Sequence, residues 1–340
     1  MLGALVFETA TSRSETYASY IPLSTPPPCE LVKFRRSYGA ETSRDAGGGG
    51  NDRRMQFGII FANTGHGAPP EGAVAIAEAA EAGGLTAIWT VEHVVVPSGY
   101  ASKYPYDPSG KMAGGAEEFD LPDPLIWLAY VAARTTTIKL GTGILILPQR
   151  NPVVTAKAVA TLDHLSGGRV VLGVGAGWLA EEFAALNVPF DDRGKRLDEY
   201  IAVMRALWSG DKASFDGDYF HFTDCISRPR PLHGSVPIVI GGHTPAAARR
   251  AGRLGDAFFP MSASIDALGD IIATMRAAAV EAGRDPDTIE IYTGAMERPG
   301  DALYGAVERL VELGVTQTVL PAYAPDKLVT IGQDLASRFG

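Results

Sequence analysis

Cysteine is nearly absent from this chain. Cys29 and Cys225 are the whole complement in 340 residues. They are too few and too far apart for a disulfide framework or a zinc site, and a reducing cytoplasm is the expected compartment. No Lys/Arg cluster stands out and the net charge is −9, which argues against nucleic acid and anionic membrane as partners. No apolar run reaches the ~18–20 residues of a membrane span. The apolar start at 2–7 is too short for a secretory signal and has no basic residue before it. Two enzyme chemistries also lack their residues. The first strand-like run, 55–61, has no paired histidines for a metal centre. No lysine stands at a strand C-terminus to form a Schiff base, because Lys139 falls near the start of its strand.

What is present is a globular composition, 46% hydrophobic and 20% charged, in a chain long enough for one large or two ordinary domains. Residues 1–54 stand apart. They hold Pro26-Pro27-Pro28, Ser/Thr-rich patches and Gly47-Gly48-Gly49-Gly50, with no sustained helical or strand period. Such a segment buries too little apolar surface to offset its ordering entropy. It reads as a disordered or non-native extension, with Met55 as the true start and one domain over 55–340.

From Met55 the pattern alternates. Strands are expected at 55–61, 85–93, 138–147, 169–175, 237–242, 256–260, 289–294 and 316–321. Helices fall between them at 71–83, 124–134, 153–165, 179–208 with a break near Pro189, 245–252 and 265–282, and one more precedes the last strand. Eight strands alternating with helices are the signature of an α/β fold of the (β/α)8 TIM-barrel type. Alternation does not specify closure, so a doubly wound sheet stays open at this point. Two insertions interrupt the period. The segment 97–122 follows the second strand, is rich in Gly, Pro, Tyr and Ser, and is expected on the C-terminal face as a cover for substrate. The segment 212–237 contains Asp216-Gly217 between apolar residues, which predicts a tight hairpin before the fifth barrel strand.

The stretch 141–177 contains two apolar strands that end in glycines and flank one helix. Glycines at strand C-termini let a ligand approach the backbone, and N–H groups at a following helix start hold anions. Gly175-Ala176-Gly177-Trp178 and Gly241-Gly242 both fit that description. The run Gly173-Val174-Gly175-Ala176-Gly177-Trp178 fails as a dinucleotide fingerprint, because Trp178 occupies the third glycine position, where close helix–strand packing is required.

His93 directly follows the second strand, on the face where barrel enzymes place their chemistry. Imidazole exchanges protons near neutral pH, so His93 is the leading catalytic candidate, with Glu92 beside it as a group that could orient it. His66 is a weaker candidate, and His164 and His221 read as structural. Glu181, Glu182, Arg193 and Arg196 read first as ion-paired helix residues.

Taken together, Trp89-Thr90-Val91-Glu92-His93 and the segments 141–152, 156–178, 181–200 and 239–260 resemble the luciferase-like flavin and deazaflavin oxidoreductases, closest to the coenzyme F420-dependent branch. The resemblance covers 55–321 in the family's order. It implies a cofactor ring over the end of the third strand, against a bulge with a non-prolyl cis bond at Gly143–Ile144, with Thr142 and Ile144 in ring contact. It further implies that Gly175, Ala176, Gly177 and Trp178 share the ribityl and phosphate contacts with Gly241, Gly242 and His243. His93 matches the family's histidine that borders ring and substrate. Trp178 stands where the sugar-phosphate dehydrogenases of the family carry an acidic residue, so sugar phosphate is a poor expectation for substrate.

The function expected is hydride transfer between coenzyme F420 and a small, fairly apolar organic substrate, in a homodimer. Two readings stay beside it. One keeps the fold but uses reduced FMN and oxygen as a monooxygenase. The other is a non-catalytic flavin-binding protein.

Overall fold

A computed structural model of the protein describes residues 54–112, 115–261 and 264–340. The extension expected over 1–54 therefore lies, apart from Arg54, outside the described residues. The chain runs β1 (Gln56–Ile60), α1 (Pro70–Ala82), β2 (Ala87–Thr90), α2 (Pro124–Ala132), β3 (Lys139–Thr142), β4 (Leu145–Ile146), α3 (Pro152–Ser166) and β5 (Val170–Gly175). It continues through α4 (Ala180–Ala185), α5 (Arg193–Ser209), β6 (Ala213–Asp216), β7 (His221–Cys225) and β8 (Ile238–Gly241). It ends with α6 (Pro245–Leu254), β9 (Ala257–Phe259), α7 (Ile265–Glu281), β10 (Glu290–Gly294), α8 (Asp301–Glu312), β11 (Gln317–Pro321) and α9 (Pro325–Phe339).

All barrel strands are parallel. The order β3-β2-β1-β11-β10-β9-β8-β5-β4 closes through a further pairing of β3 with β5. β3 and β4 are one barrel strand in two pieces, so eight staves form a closed (β/α)8 barrel and a doubly wound sheet is excluded. The continuous strand expected over 138–147 is interrupted at Gly143–Ile144, a cis peptide bond. There the ladder is replaced by other partners: Gly143 N–H donates to the Thr90 carbonyl at 2.6 Å, and Ile146 N–H to the Glu92 carboxylate at 2.5 Å.

Helix starts follow their caps. Asp123 accepts from Leu125 and Ile126 N–H, and Asn151 from Val153 and Val154 N–H, each with proline at the first helical position. The helix expected over 179–208 is two helices, separated by a segment containing Pro189 and Asn187 at φ 57°. α9 lies beyond the strand–helix count made from the sequence and packs on α1.

Inside the barrel, Trp89 is the central side chain. Its ring meets Phe259 at 5.3 Å and Tyr292 at 5.6 Å, and its Nε1–H donates to Gln317 Oε1 at 3.0 Å. A fully buried aromatic of this kind contributes about 1.5–3 kcal/mol of transfer energy. The indole is admitted because Gly141 has no side chain; a Cβ there would lie 2.4 Å from the ring. β6 and β7 pair as the expected hairpin, but not through a two-residue turn. Four residues, 217–220, make the connection. Glu199 of α5 organises it by accepting from Asp218, Tyr219 and Phe220 N–H at 2.7–2.8 Å. No described helix is long and apolar enough to cross a membrane.

Candidate functional site

The C-terminal ends of the strands open into a cavity of about 1120 Å3. Its floor is set by the bulge. Ile144 extends across the strand ends, and Gly175 and Gly241 make room for it. A Cβ at 175 would sit 2.6 Å from Ile144 Cδ1, and one at 241 would sit 2.3 Å from Cγ2. These glycines thus admit a side chain of the protein itself, which in turn presents an apolar surface to the cavity.

The insertion forms the roof. Tyr104, Tyr106, Met112 and Phe119 line the cavity from above. Both feet are tied by buried Asn63, whose amide donates to the carbonyls of Val91 at 2.8 Å and Pro122 at 3.0 Å and accepts from Val91 N–H at 2.9 Å. Trp178 anchors the middle, with Tyr100 and Tyr104 packed edge-on at 5.5 and 5.3 Å. Tyr106 reaches the far rim and meets the His243 ring at 4.9 Å. Burial raises the hydroxyl of Tyr106 to about 12, so it stays protonated in the neutral range. Glu181 fastens the same segment. With the Ser102 hydroxyl and the N–H groups of Ala101 and Ser102 around it, its carboxyl is held down to about 2.

His93 lines the cavity and is oriented from 89 residues away. Its Nδ1 lies 2.9 Å from Oε2 of Glu182, a carboxylate with no solvent exposure. The other oxygen of Glu182 accepts from Val94 N–H at 2.6 Å, so the carboxylate fixes both the ring and its backbone. In the neutral imidazole, a hydrogen on Nδ1 directed at the carboxylate leaves Nε2 as the acceptor. Nε2 has no hydrogen-bond partner among the described residues. Glu92 does something else. It bridges Arg150 (Nε at 2.7 Å) and Ile146 N–H, and Arg150 continues to Asp123 at 2.7 Å. Burial pushes the Glu92 carboxyl up, while Arg150 and the Ile146 N–H oppose that rise. This chain of bonds ties the end of β2 to the bulge and to the start of α2.

His93, Gly143, Ile144, Gly175, Ala176, Gly177, Trp178, Gly241, Gly242 and His243 all border the cavity. Thr142 does not. It is buried in the barrel wall, and its hydroxyl donates to the Gly173 carbonyl at 2.7 Å. Gly242 does not offer the open N–H expected of it, because that group donates to the Phe259 carbonyl at 3.3 Å. His66 sits exposed outside the cavity, and His221 pairs with Asp216 in the hairpin at 2.7 Å. Glu182 and Arg193, read from the sequence as helix ion pairs, both belong to the cavity region, whereas Arg196 is ion-paired with Asp192 as expected. The signal for Glu182 was local: it is a carboxylate beside Phe183 on the buried face of α4. For Arg193 no such signal exists.

Comparison with known proteins bears on this arrangement. Residues 55–300 match the family of luciferase-like monooxygenases. The chain belongs to that family. An uncharacterized protein of Mycobacterium tuberculosis is 34% identical over 265 residues, covering 77% of this chain and 87% of the relative. An F420-dependent glucose-6-phosphate dehydrogenase of Nocardia farcinica is 41% identical over 176 residues, covering 50% of this chain and 52% of that protein. Among solved structures, the coenzyme F420-dependent tetrahydromethanopterin reductase of Methanopyrus kandleri superposes with a TM-score of 0.68 at 19% identity, over 84% of this chain and all of that one (100%). That last likeness is one of fold. The family is one of flavin- and F420-dependent oxidoreductases and monooxygenases, so the chain is an enzyme of that class.

Proposed function

We propose that this enzyme transfers hydride between coenzyme F420 and a small, largely apolar, neutral organic substrate, with His93 moving the accompanying proton. The observation that carries the reading is the His93–Glu182 pair: an imidazole bordering the cavity, its Nδ1 anchored and its Nε2 unpartnered. The cavity fits a flavin-type group on its own residues. Ile144 supplies an apolar floor for a ring, and the buried Nδ1 of His243 has no hydrogen-bond partner among the described residues, which leaves it for a polar ligand group. Gly143, Ile144, Gly175, Ala176, Gly177, Trp178, Gly241, Gly242 and His243 would hold the cofactor. The Nocardia relative's name favours F420 over FMN.

When bound, a deazaflavin supplies two-electron hydride chemistry. The chain's residues do the rest. Nε2 of His93 takes the proton of a substrate hydroxyl, or returns it to a carbonyl oxygen in the reverse direction. Glu182 stabilises the imidazolium that forms, since a buried carboxylate strengthens a charge-assisted hydrogen bond. Tyr104, Tyr106 and Phe119 exclude water above the reacting atoms. Among the described residues no lysine or arginine of the insertion lines the cavity, which suits a neutral substrate.

Fluorescence titration of the purified protein with F420 and with FMN tests the reading. Tighter F420 binding and turnover that falls by about 10²–10⁴-fold in His93→Ala are expected. Tighter FMN binding with oxygen consumption on reduction supports the monooxygenase reading instead. Bound cofactor without any turnover supports a non-catalytic carrier. The proposal extends to a homodimer, supported by Ile126, Tyr130, Val153 and Val154, exposed on the adjacent helices α2 and α3. Val154→Glu should shift its gel-filtration volume to that of a monomer.

A further inference from the structure

Arg193 is the unexplained charge of the cavity. It opens α5, directly after the break that separates that helix from α4, and its side chain turns to the cavity wall rather than to solvent. Its guanidinium lies 3.7 Å over the Phe190 ring. Two of its donors are used, both on neutral acceptors: Nε–H on the Gly177 carbonyl at 3.2 Å and an Nη1–H on the Phe190 carbonyl at 3.0 Å. No carboxylate lies within 4.0 Å of it among the described residues, although Asp191 is close enough to act at longer range. A guanidinium carries five N–H groups, so three are left for a ligand.

The contrast with its neighbours is informative. Arg250 also borders the cavity, but Asp198 pairs with it directly and the Gly194 carbonyl takes a second bond. Arg196 is paired with Asp192. Arg193 alone of these three has no directly paired carboxylate among the described residues, and burial depresses its basicity from the ordinary arginine value. A half-buried cation without a counter-ion is costly unless something anionic completes it. The Gly177 carbonyl places it at the turn after β5, and His243, with its unpartnered buried Nδ1, borders the same cavity from the end of β8.

We propose that Arg193 is the charged binding residue for the phosphate of the cofactor, with His243 as its neutral hydrogen-bonding companion. This rests on the flavin-type reading of the cavity. It assigns the anion to a side chain of α5, where the glycine turns alone lack a formal charge and Gly242 N–H is already engaged. Phosphate suits the site, because a planar fork with several free N–H groups matches an oxyanion of many acceptors. A phosphomonoester and a phosphodiester both present that chemistry.

The test is a comparison of ligands that differ only in the phosphate, FMN against riboflavin and the 5′-phosphate of the deazaflavin core of F420 against that core without it. Dissociation constants are measured by fluorescence for the wild type and for Arg193→Gln. The variant should lose about 10–100-fold in affinity for the phosphorylated member of the pair that binds. It should hold the unphosphorylated member within about twofold. His243→Phe should give a smaller loss of the same selective kind. An equal loss for both members means that Arg193 only props the Gly177 turn, and no loss for either means that it touches no ligand; both overturn the assignment. Wild-type protein that binds none of the four compounds refutes the flavin-type reading itself. Arg193→Lys keeps the charge and should recover part of the phosphate selectivity.

Discussion

Gly241→Ala tests whether Ile144 is the reason for glycine at the strand ends. A Cβ at 241 would fall 2.3 Å from Ile144 Cγ2 and 3.5 Å from its Cβ, against an optimal carbon–carbon separation of about 3.5–4.0 Å. Cγ2 is bonded to the branch point, so turning the end of the side chain does not clear it. The cost should sit in the upper part of the overpacking range, about 2–3 kcal/mol. At Gly175 the nearest atom is Cδ1 at 2.6 Å, the far end of the same side chain, and Gly175→Ala should cost only about 1 kcal/mol. Ile144→Ala removes every clashing atom. Gly241 is not in the left-handed region, so in that background alanine should gain about 0.4–1 kcal/mol by restricting the unfolded chain. The sign of the substitution therefore reverses with the residue at 144. Ile144→Val deletes Cδ1 but keeps Cγ1 3.0 Å from a Cβ at 175, so it should relieve Gly175→Ala only in part and leave Gly241→Ala costly. Urea unfolding of the wild type, the singles and the doubles measures this cycle directly. An equal cost for Gly241→Ala in the wild-type and Ile144→Ala backgrounds would refute the contact.

Three further outcomes are expected. Glu182→Gln turns an acceptor of the His93 Nδ1 hydrogen into a donor, which moves the hydrogen to Nε2; activity should fall about 10²–10⁴-fold. Combining it with His93→Ala should add little further loss, and independent additive losses would argue against the pair. Glu81, at the end of α1, accepts from Thr136, Thr137 and Ile138 N–H at 2.9, 2.5 and 3.0 Å. Burial works against its ionisation, but these backbone bonds prevail and hold its carboxyl at about 2 instead of 4.5. Because the folded value is depressed, the stabilisation is complete above pH 5 and vanishes as pH falls from about 4.5 to 2. Discounted for partial exposure, it amounts to about 1–2 kcal/mol, so the urea midpoints of wild type and Glu81→Gln should differ at pH 7 and converge near pH 2. Tyr106→Ala removes the roof's contact with His243 and should speed cofactor dissociation, seen in stopped-flow fluorescence, while leaving the unfolding free energy within about 0.5 kcal/mol of wild type.

The sequence alone determined the alternation of strands and helices, the two insertions, and the position of His93 directly after β2. Those features are local. Apolar period, caps and proline positions act within a few residues, and parallel strands buried on both faces declare themselves by composition. Barrel closure was not local, since it depends on the pairing of β3 with β5. Side-chain partners were not local either. Glu92 lies next to His93 in the chain but is turned to Arg150, while Glu182 reaches His93 from α4. The glycines at 175 and 241 were legible as necessary, but their reason, the side chain of Ile144, required the tertiary structure. Periodicity records which residues are buried; it does not record what each of them is buried against. That is decided only when register and curvature bring distant strands and helices together around one cavity.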